Sequence, residues 1–228
     1  MNKQYSFIFL IISSSDVPQY LQMKELSKLY YNLFNDNIKH FYIEFKNDLK
    51  VDIIENEDHI YMKGIETIKP GILIKTKLAL YYINNKYNYD YIIRTNLSSF
   101  WNLNNLLKFK NYLPRQKMCC GHLPFNTFIS GTGIIMSYDV SKKIASLINT
   151  TASYNDDLYI TNLLSICKYK IQNIENAGFT IKYIVYNNNN VIPEDTNNIL
   201  YYRIKNVDRN IDIYMFKKLL FKIYDVKI

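Results

Sequence analysis

The sequence predicts an α/β protein built on a mixed central sheet. Three observations carry that expectation. In the first part of the chain, β-prone runs alternate with a helical pattern: Ser6–Ile12, then Val17 to Leu33, then Lys39–Phe45. The run Tyr89–Thr95 is apolar and β-prone and stops at the elbow Asn96-Leu97-Ser98-Ser99, before Phe100-Trp101-Asn102-Leu103 resumes the apolar pattern. A buried strand that ends in such an elbow is where open α/β sheets place ligands. Finally, Thr127–Ser137 reads as strands around Ser130-Gly131-Thr132-Gly133, where glycine allows a positive φ or a close approach of backbone to a ligand.

In chain order, Ser6–Ile12 is expected to be a buried strand and Ser13-Ser14-Ser15-Asp16 the loop that leaves it. Asp16 is suited to cap the next helix, and Pro18 is tolerated in a first turn. Val17, Leu21, Leu26, Leu29 and Leu33 fall near one face of that helix. Lys39–Phe45 is the next strand, and Asn47–Asp58 a polar edge or loop. Ile65–Gly71 is irregular, with Pro70-Gly71 marking a turn. Ile72–Ile83 is apolar on most sides, a buried helix that carries Lys75 and Lys77. After the Tyr89–Thr95 strand, Leu103–Phe109 is a short helix and Asn111–Arg115 leads out of it. Asp139 is expected to cap a helix running to Ile148, and Asn155-Asp156-Asp157 to open another over Leu158–Cys167. Phe179–Tyr186 is a late strand, Asn187–Asn190 a loop, and Ile211–Tyr224 a last amphipathic helix. With no internal repeat and no clear linker, the 228 residues read as one domain with a substantial core.

Composition narrows the function classes. Hydrophobic residues make up 48% and charged residues 21%, which excludes a disordered or membrane-embedded chain. The bias toward Tyr, Asn, Ile and Lys fits an AT-rich genome, so no single Tyr or Asn counts as a signal. A formal charge of +8 suits phosphate-bearing ligands, nucleic acid or anionic membranes. The Lys and Arg residues are scattered, however, and neither a helix-turn-helix pattern nor an aromatic RNA-binding signature accompanies them, so no nucleic-acid partner is expected. The clearest local concentration is Arg203, Lys205 and Arg209. Cys119, Cys120 and Cys167 lack the paired spacing of a zinc site and are expected to be reduced thiols. Phe7–Ile12 is too short for a signal-peptide core, and no run approaches the roughly 20 apolar residues of a transmembrane segment. A cytoplasmic location follows as the expectation.

Four stretches in fixed order carry a resemblance. They are Ile74-Lys75-Thr76-Lys77-Leu78, then Tyr91-Ile92-Ile93-Arg94-Thr95-Asn96-Leu97-Ser98-Ser99-Phe100, then Phe128-Ile129-Ser130-Gly131-Thr132-Gly133-Ile134-Ile135-Met136-Ser137, and Asp156-Asp157-Leu158-Tyr159-Ile160. The set is similar to the GT-A-type glycosyltransferases, most nearly the inverting β-1,3-galactosyltransferase and Fringe-like group. In order, the stretches resemble that group's lysine-containing helix, its strand and acidic elbow, its Ser-Gly-Gly-Gly acceptor-side segment and its Glu-Asp-Val-Tyr-Val segment. The resemblance implies a GT-A-like single domain with a mostly parallel mixed sheet flanked by helices. About 1–100 would be the nucleotide-binding part, and about 101–228 the acceptor-side part with the C-terminal helix. It also implies a nucleotide-diphosphate sugar donor, a UDP-sugar foremost, and a glycan or glycoprotein acceptor.

One departure stands out. The family's elbow carboxylates hold a divalent cation, and here the positions are Asn96, Leu97 and Ser98. Mg²⁺ or Mn²⁺ wants charged oxygen ligands, so no metal cofactor is expected. Two readings stay open: an inactive nucleotide-sugar or glycan-binding domain, or an enzyme in which positive side chains stabilise the leaving diphosphate, as in the metal-independent core-2 N-acetylglucosaminyltransferase group. For the second, Arg203, Lys205 and Arg209 are the diphosphate candidates, against ordinary surface or ion-paired residues. Lys75, Arg94, Thr95, Asn96 and Ser98 are candidates for the nucleotide-sugar, and so are Ser13, Ser14 and Ser15, which equally suit a mere capping loop. Gly131, Thr132 and Gly133 fall on the acceptor side by the resemblance. Asp157 is the first candidate for general base and Asp156 the second, against the plainer reading that both cap a helix. Phe100 and Trp101 are either sugar-stacking or core, and His122 is a polar pocket residue without partners at metal-ligand spacing.

Overall fold

Strand β1 (Gln4–Ile12) is buried on both faces, with Phe7, Ile8, Phe9 and Leu10 fully excluded from solvent. That is the environment of a strand flanked by parallel neighbours and covered above and below. The computed structural model that shows this describes residues 3–149, 155–184 and 192–228. Helix α1 (Pro18–Asn32) follows, then β2 (Ile38–Lys46), the short pair β3 (Ile53–Asn56) and β4 (His59–Lys63), helix α2 (Gly71–Lys86) and β5 (Asn88–Asn96). Past the elbow come β6 (Ser99–Trp101), α3 (Leu103–Phe109), β7 (Cys119–Gly121), β8 (Gly133–Ser137), α4 (Tyr138–Leu147) and α5 (Asp156–Ile166). The chain then forms β9 (Ile171–Asn173), β10 (Thr180–Ile184), β11 (Ile199–Ile204) and α6 (Arg209–Tyr224). The expected Asn187–Asn190 loop and the end of the Phe179–Tyr186 strand lie outside the described residues. Among the described residues no helix is long and apolar enough to cross a membrane.

Two compact units interleave along the chain. The first comprises Met1–Ser14, Asp36–Asn96 and Pro114–Asn173. Its described strands form an eight-stranded sheet in the order β3-β4-β2-β1-β5-β8-β7-β9. β4, β2, β1 and β5 run parallel, while β8 is antiparallel to β5 and to β7. The direction therefore switches at β5. Ile12 is opposite Asn96 and Thr95 is opposite Gly133, so the carboxyl ends of β1 and β5 share one sheet edge with the amino end of β8. Ile8, Leu10, Phe41, Ile43, Leu80, Ile83, Ile92, Val140, Ile144 and Leu164 make one core cluster with residues of α2, α4 and α5.

The second unit comprises Ser15–Asn35, Leu97–Leu113 and Ile174–Ile228. Its three-stranded sheet has the order β10-β11-β6. An aromatic cluster packs within it: Tyr30 lies 4.6 Å from Phe100 and 5.4 Å from Tyr224 between ring centroids, and Trp101 stacks on Tyr201 at 4.5 Å. Phe100 and Trp101 are fully buried, so they belong to this core and offer no ring to a sugar.

Several local expectations are corrected. Asp16 does not cap α1: Val17 holds the cap position, with Pro18 at the start of the helix. Leu21, Leu29 and Leu33 are exposed, and the buried residues of α1 are Met23, Lys24, Leu26, Ser27, Tyr30 and Tyr31. The helix turns its large aromatics inward, because they remove more apolar area from water than leucines do. Within Thr127–Ser137 only β8 is a strand, since Ser130–Thr132 forms a turn bonded back to β5. Asp139 sits inside the first turn of α4, where its carboxylate accepts from the Ser137 hydroxyl at 2.6 Å and the Lys117 amide at 2.9 Å, and Ser137 takes the cap position.

Candidate active site

At the ends of β1 and β2, a polar group is built into an apolar edge. Ser13 donates its hydroxyl to Glu44 Oε1 at 2.8 Å, and both residues are buried. Lys75 reaches from α2 to the Ser13 carbonyl at 2.9 Å and to Glu66 Oε2 at 2.7 Å. The other Glu66 oxygen accepts from the Phe45 amide at 2.7 Å. Burial lowers the Lys75 ammonium below its ordinary value, and Glu66 opposes the shift. Lys75 therefore ties α2 and the segment before it to the end of β1. Neither carboxylate was singled out in the sequence, although Glu44 stands inside the apolar run Phe41-Tyr42-Ile43-Glu44-Phe45, where a lone charge signals a buried partner. Ser14 is half-buried.

The second cluster is at the end of β5. Arg94 is 2% exposed, and its guanidinium forms an ion pair with Asp156 at the start of α5 and donates to the Gly131 carbonyl. Asn96 donates from Nδ2 to the same carbonyl at 3.0 Å, and its Oδ1 accepts from Arg94 at 3.3 Å. Thr95 donates its hydroxyl to the Thr132 carbonyl at 2.6 Å. The turn at Gly131 is thus fastened to β5 by three side chains. A Cβ at residue 131 would sit 2.7 Å from Arg94 Nη1, so glycine is there for close approach. Asp157 completes the cluster: its carboxylate accepts from the Gly131 amide at 3.3 Å and the Leu158 amide at 2.9 Å. Burial pushes the Asp156 carboxyl above the ordinary aspartate range, and Arg94 pulls it back without cancelling the shift. The two aspartates differ accordingly. Both are half-buried, but Asp156 faces an internal cation, whereas Asp157 accepts from the backbone amides of Gly131 and Leu158.

In the second unit, Arg203 on β11 donates to the Ser98 hydroxyl, and the Ile204 amide donates to the Ser98 carbonyl at 2.9 Å. Lys205 is exposed. Arg209, which the sequence groups with these two, donates to the fully buried Asp212 at 2.6 Å, and the other Asp212 oxygen accepts from the backbone and side chain of Asn206. Arg209 is therefore part of the support of α6. Ser15 accepts from the buried Lys24 at 3.0 Å, a cation on α1 that sequence patterning had left unremarked.

The elbow does not fit a hard divalent cation. Asn96 contributes a neutral oxygen that already accepts from a guanidinium, Leu97 is buried, and the Ser98 hydroxyl accepts from another guanidinium. Among the described residues no group of three or more His, Cys, Asp or Glu side chains is arranged to hold a metal ion. His122 is half-buried, and its carbonyl closes the loop that carries Gly131 by accepting from the Ser130 amide at 2.9 Å.

No family model and no curated protein matches the chain. Among solved structures it is similar to one described as the crystal structure of a glycosyltransferase involved in the glycosylation of the major capsid of PBCV-1. The identity is 11%, the TM-score 0.56, and the alignment covers 93% of this chain and 99% of that one. At that identity the likeness establishes the fold. The expected class, α/β and GT-A-like with a mostly parallel mixed sheet flanked by helices, is the one observed.

Proposed function

We propose that the chain transfers a sugar from a nucleoside-diphosphate sugar, a UDP-sugar foremost, to a hydroxyl of a glycan or glycoprotein acceptor. The transfer inverts the anomeric carbon and needs no divalent cation. The observation that carries this reading is the Arg94–Asp156 ion pair at the carboxyl end of β5. It anchors the first turn of α5 and leaves Asp157 as the half-buried carboxylate without a cation partner in that cluster, beside the Gly131 turn. Asp157 serves as general base, taking the acceptor proton while that oxygen attacks the anomeric carbon. The transition state has oxocarbenium character, and negative charge gathers on the departing diphosphate. Fixed cations meet that charge. Arg203 is the first of them, because its guanidinium already donates to the hydroxyl of the elbow residue Ser98 and its planar fork suits phosphate oxygens. Lys205 is the second. The similar fold of a known glycosyltransferase supports the reading.

A second reading, sugar-nucleotide binding without turnover, is favoured by the engagement of Asn96 and Lys75 in internal bonds. Release of nucleotide from UDP-, GDP- and dTDP-sugars separates the two. Asp157→Asn is expected to lower turnover by about 10²-fold or more, while the rise in melting temperature produced by UDP stays as in the wild type. Unchanged turnover removes Asp157 from the mechanism. Binding without turnover of any donor establishes the second reading.

A further inference from the structure

Between Lys117 and Asp139 the chain has no Lys, Arg, Asp or Glu, although 21% of all residues are charged. This neutral stretch holds β7, the loop 122–132 and β8. β8 is antiparallel to β5, with Gly133 opposite Thr95, and to β7, with Ile134 opposite Gly121. The loop therefore leaves the sheet at the edge that carries Asn96 and the Gly131 turn. Its base is closed by the Ser130 amide on the His122 carbonyl. Near its start is a tight turn. The Asn126 amide donates to the Leu123 carbonyl at 3.1 Å, and the Thr127 amide and hydroxyl donate to the Pro124 carbonyl at 3.0 and 2.9 Å.

On that turn Phe125 and Asn126 are both left-handed, with φ of 51° and 56°. Phe125 is 96% exposed, and Asn126 is exposed beside it. Full exposure forgoes the burial that an aromatic ring offers the fold, and a left-handed backbone is unfavourable for phenylalanine. A residue held against both tendencies by a bonded turn is suited to something it meets from outside. The absence of charge along the loop argues against a phosphate, a nucleic acid or a cation. A ring face with an amide next to it suits a pyranose: the aliphatic C–H face lies on the negative face of the ring, and the carboxamide donates to and accepts from hydroxyls.

We propose that Phe125 and Asn126 form a platform for an uncharged sugar ring of the acceptor glycan. The proposal rests on the transferase reading above and adds a subsite to it. Saturation-transfer NMR with methyl β-D-galactoside, methyl β-D-glucoside, methyl α-D-mannoside and methyl α-L-rhamnoside tests it directly. At least one glycoside is expected to receive saturation at its ring C–H protons from wild-type protein. Phe125→Ala is expected to weaken that binding about fivefold or more, and Phe125→Trp to restore it. Because Phe125 touches little of the fold, its alanine variant should melt with the wild type. No signal from any of the four glycosides overturns the proposal. So does binding that Phe125→Ala leaves unchanged, or an alanine variant that loses only affinity for phosphatidylserine-containing vesicles. Nucleotide release by wild-type protein is read separately: its absence defeats the transferase reading, while the glycoside result still decides the role of Phe125.

Discussion

A guanidinium keeps its charge and carries five donors in a rigid fork, so a buried arginine has to be surrounded by acceptors. Arg94 meets part of that demand with Asp156, the Gly131 carbonyl and Asn96 Oδ1, while its buried Nε has no acceptor among the described residues. A lysine could not span three acceptors in one plane. The residues of this cluster were legible in the sequence one at a time, as a strand end, a glycine turn and an acidic helix start. Their mutual bonding was not, because Arg94 and Asp156 are 62 positions apart and nothing in local pattern pairs them. The cysteines make a second case at this scale. All three are free. Burial raises the Cys119 thiol well above its ordinary value and pushes Cys120 up to about 12, so neither supplies thiolate near neutral pH. Cys167 is half-buried. Iodoacetamide at pH 8 should therefore modify Cys167 alone in native protein and all three residues in guanidinium, as read by intact mass. Native labelling at Cys119 or Cys120 would contradict their burial.

At the scale of elements, helix α1 shows how far periodicity reaches. Spacing predicts a helix over Val17 to Leu33, and its extent is close to that observed, but of the expected apolar face only Leu26 is buried while Leu21, Leu29 and Leu33 are exposed. Leucines and tyrosines both repeat at helical intervals here, and sequence alone does not say which set faces inward. The structure selects Tyr30, which packs on Tyr31, Phe100 and Tyr224. Tyr30→Ala should cost about 3–4 kcal/mol, a core aromatic truncation, and Leu29→Ala about 0.5 kcal/mol or less. Urea midpoints of the two variants check the ranking, and equal losses would place the core on the leucine face. The longer strands β1, β2 and β5 were legible because each is a continuous β-prone run. β7 and β9 were not: three residues give no measurable period, and they exist because β8 and β7 offer them an edge. β11 was missed for another reason. Ile199–Ile204 is a β-prone run, but the charge of Arg203 interrupts its apolar pattern one residue before the strand ends.

At the scale of the molecule, the net charge of +8 proved less informative than where individual charges lie. Buried Lys75 and Arg94 each pair with a carboxylate and so add little to a surface field, and buried Lys24 bonds to the Ser15 hydroxyl. The class of fold was legible from the order of elements, and the switch of strand direction at β5 explains why the polar elbow falls where it does. Chemistry was legible only through the resemblance, and the elbow is where that resemblance breaks: Asn96 and Ser98 hold hydrogen bonds to arginines where carboxylates would hold a cation. The central claim is that sugar transfer here proceeds with protein cations in place of a metal. Its most direct test is the rate of nucleotide release from UDP-sugars in EDTA and in Mn²⁺. The account predicts turnover in both, with rates that agree within about twofold, because no metal acts as Lewis acid. Turnover that vanishes in EDTA and returns with Mn²⁺ would contradict it.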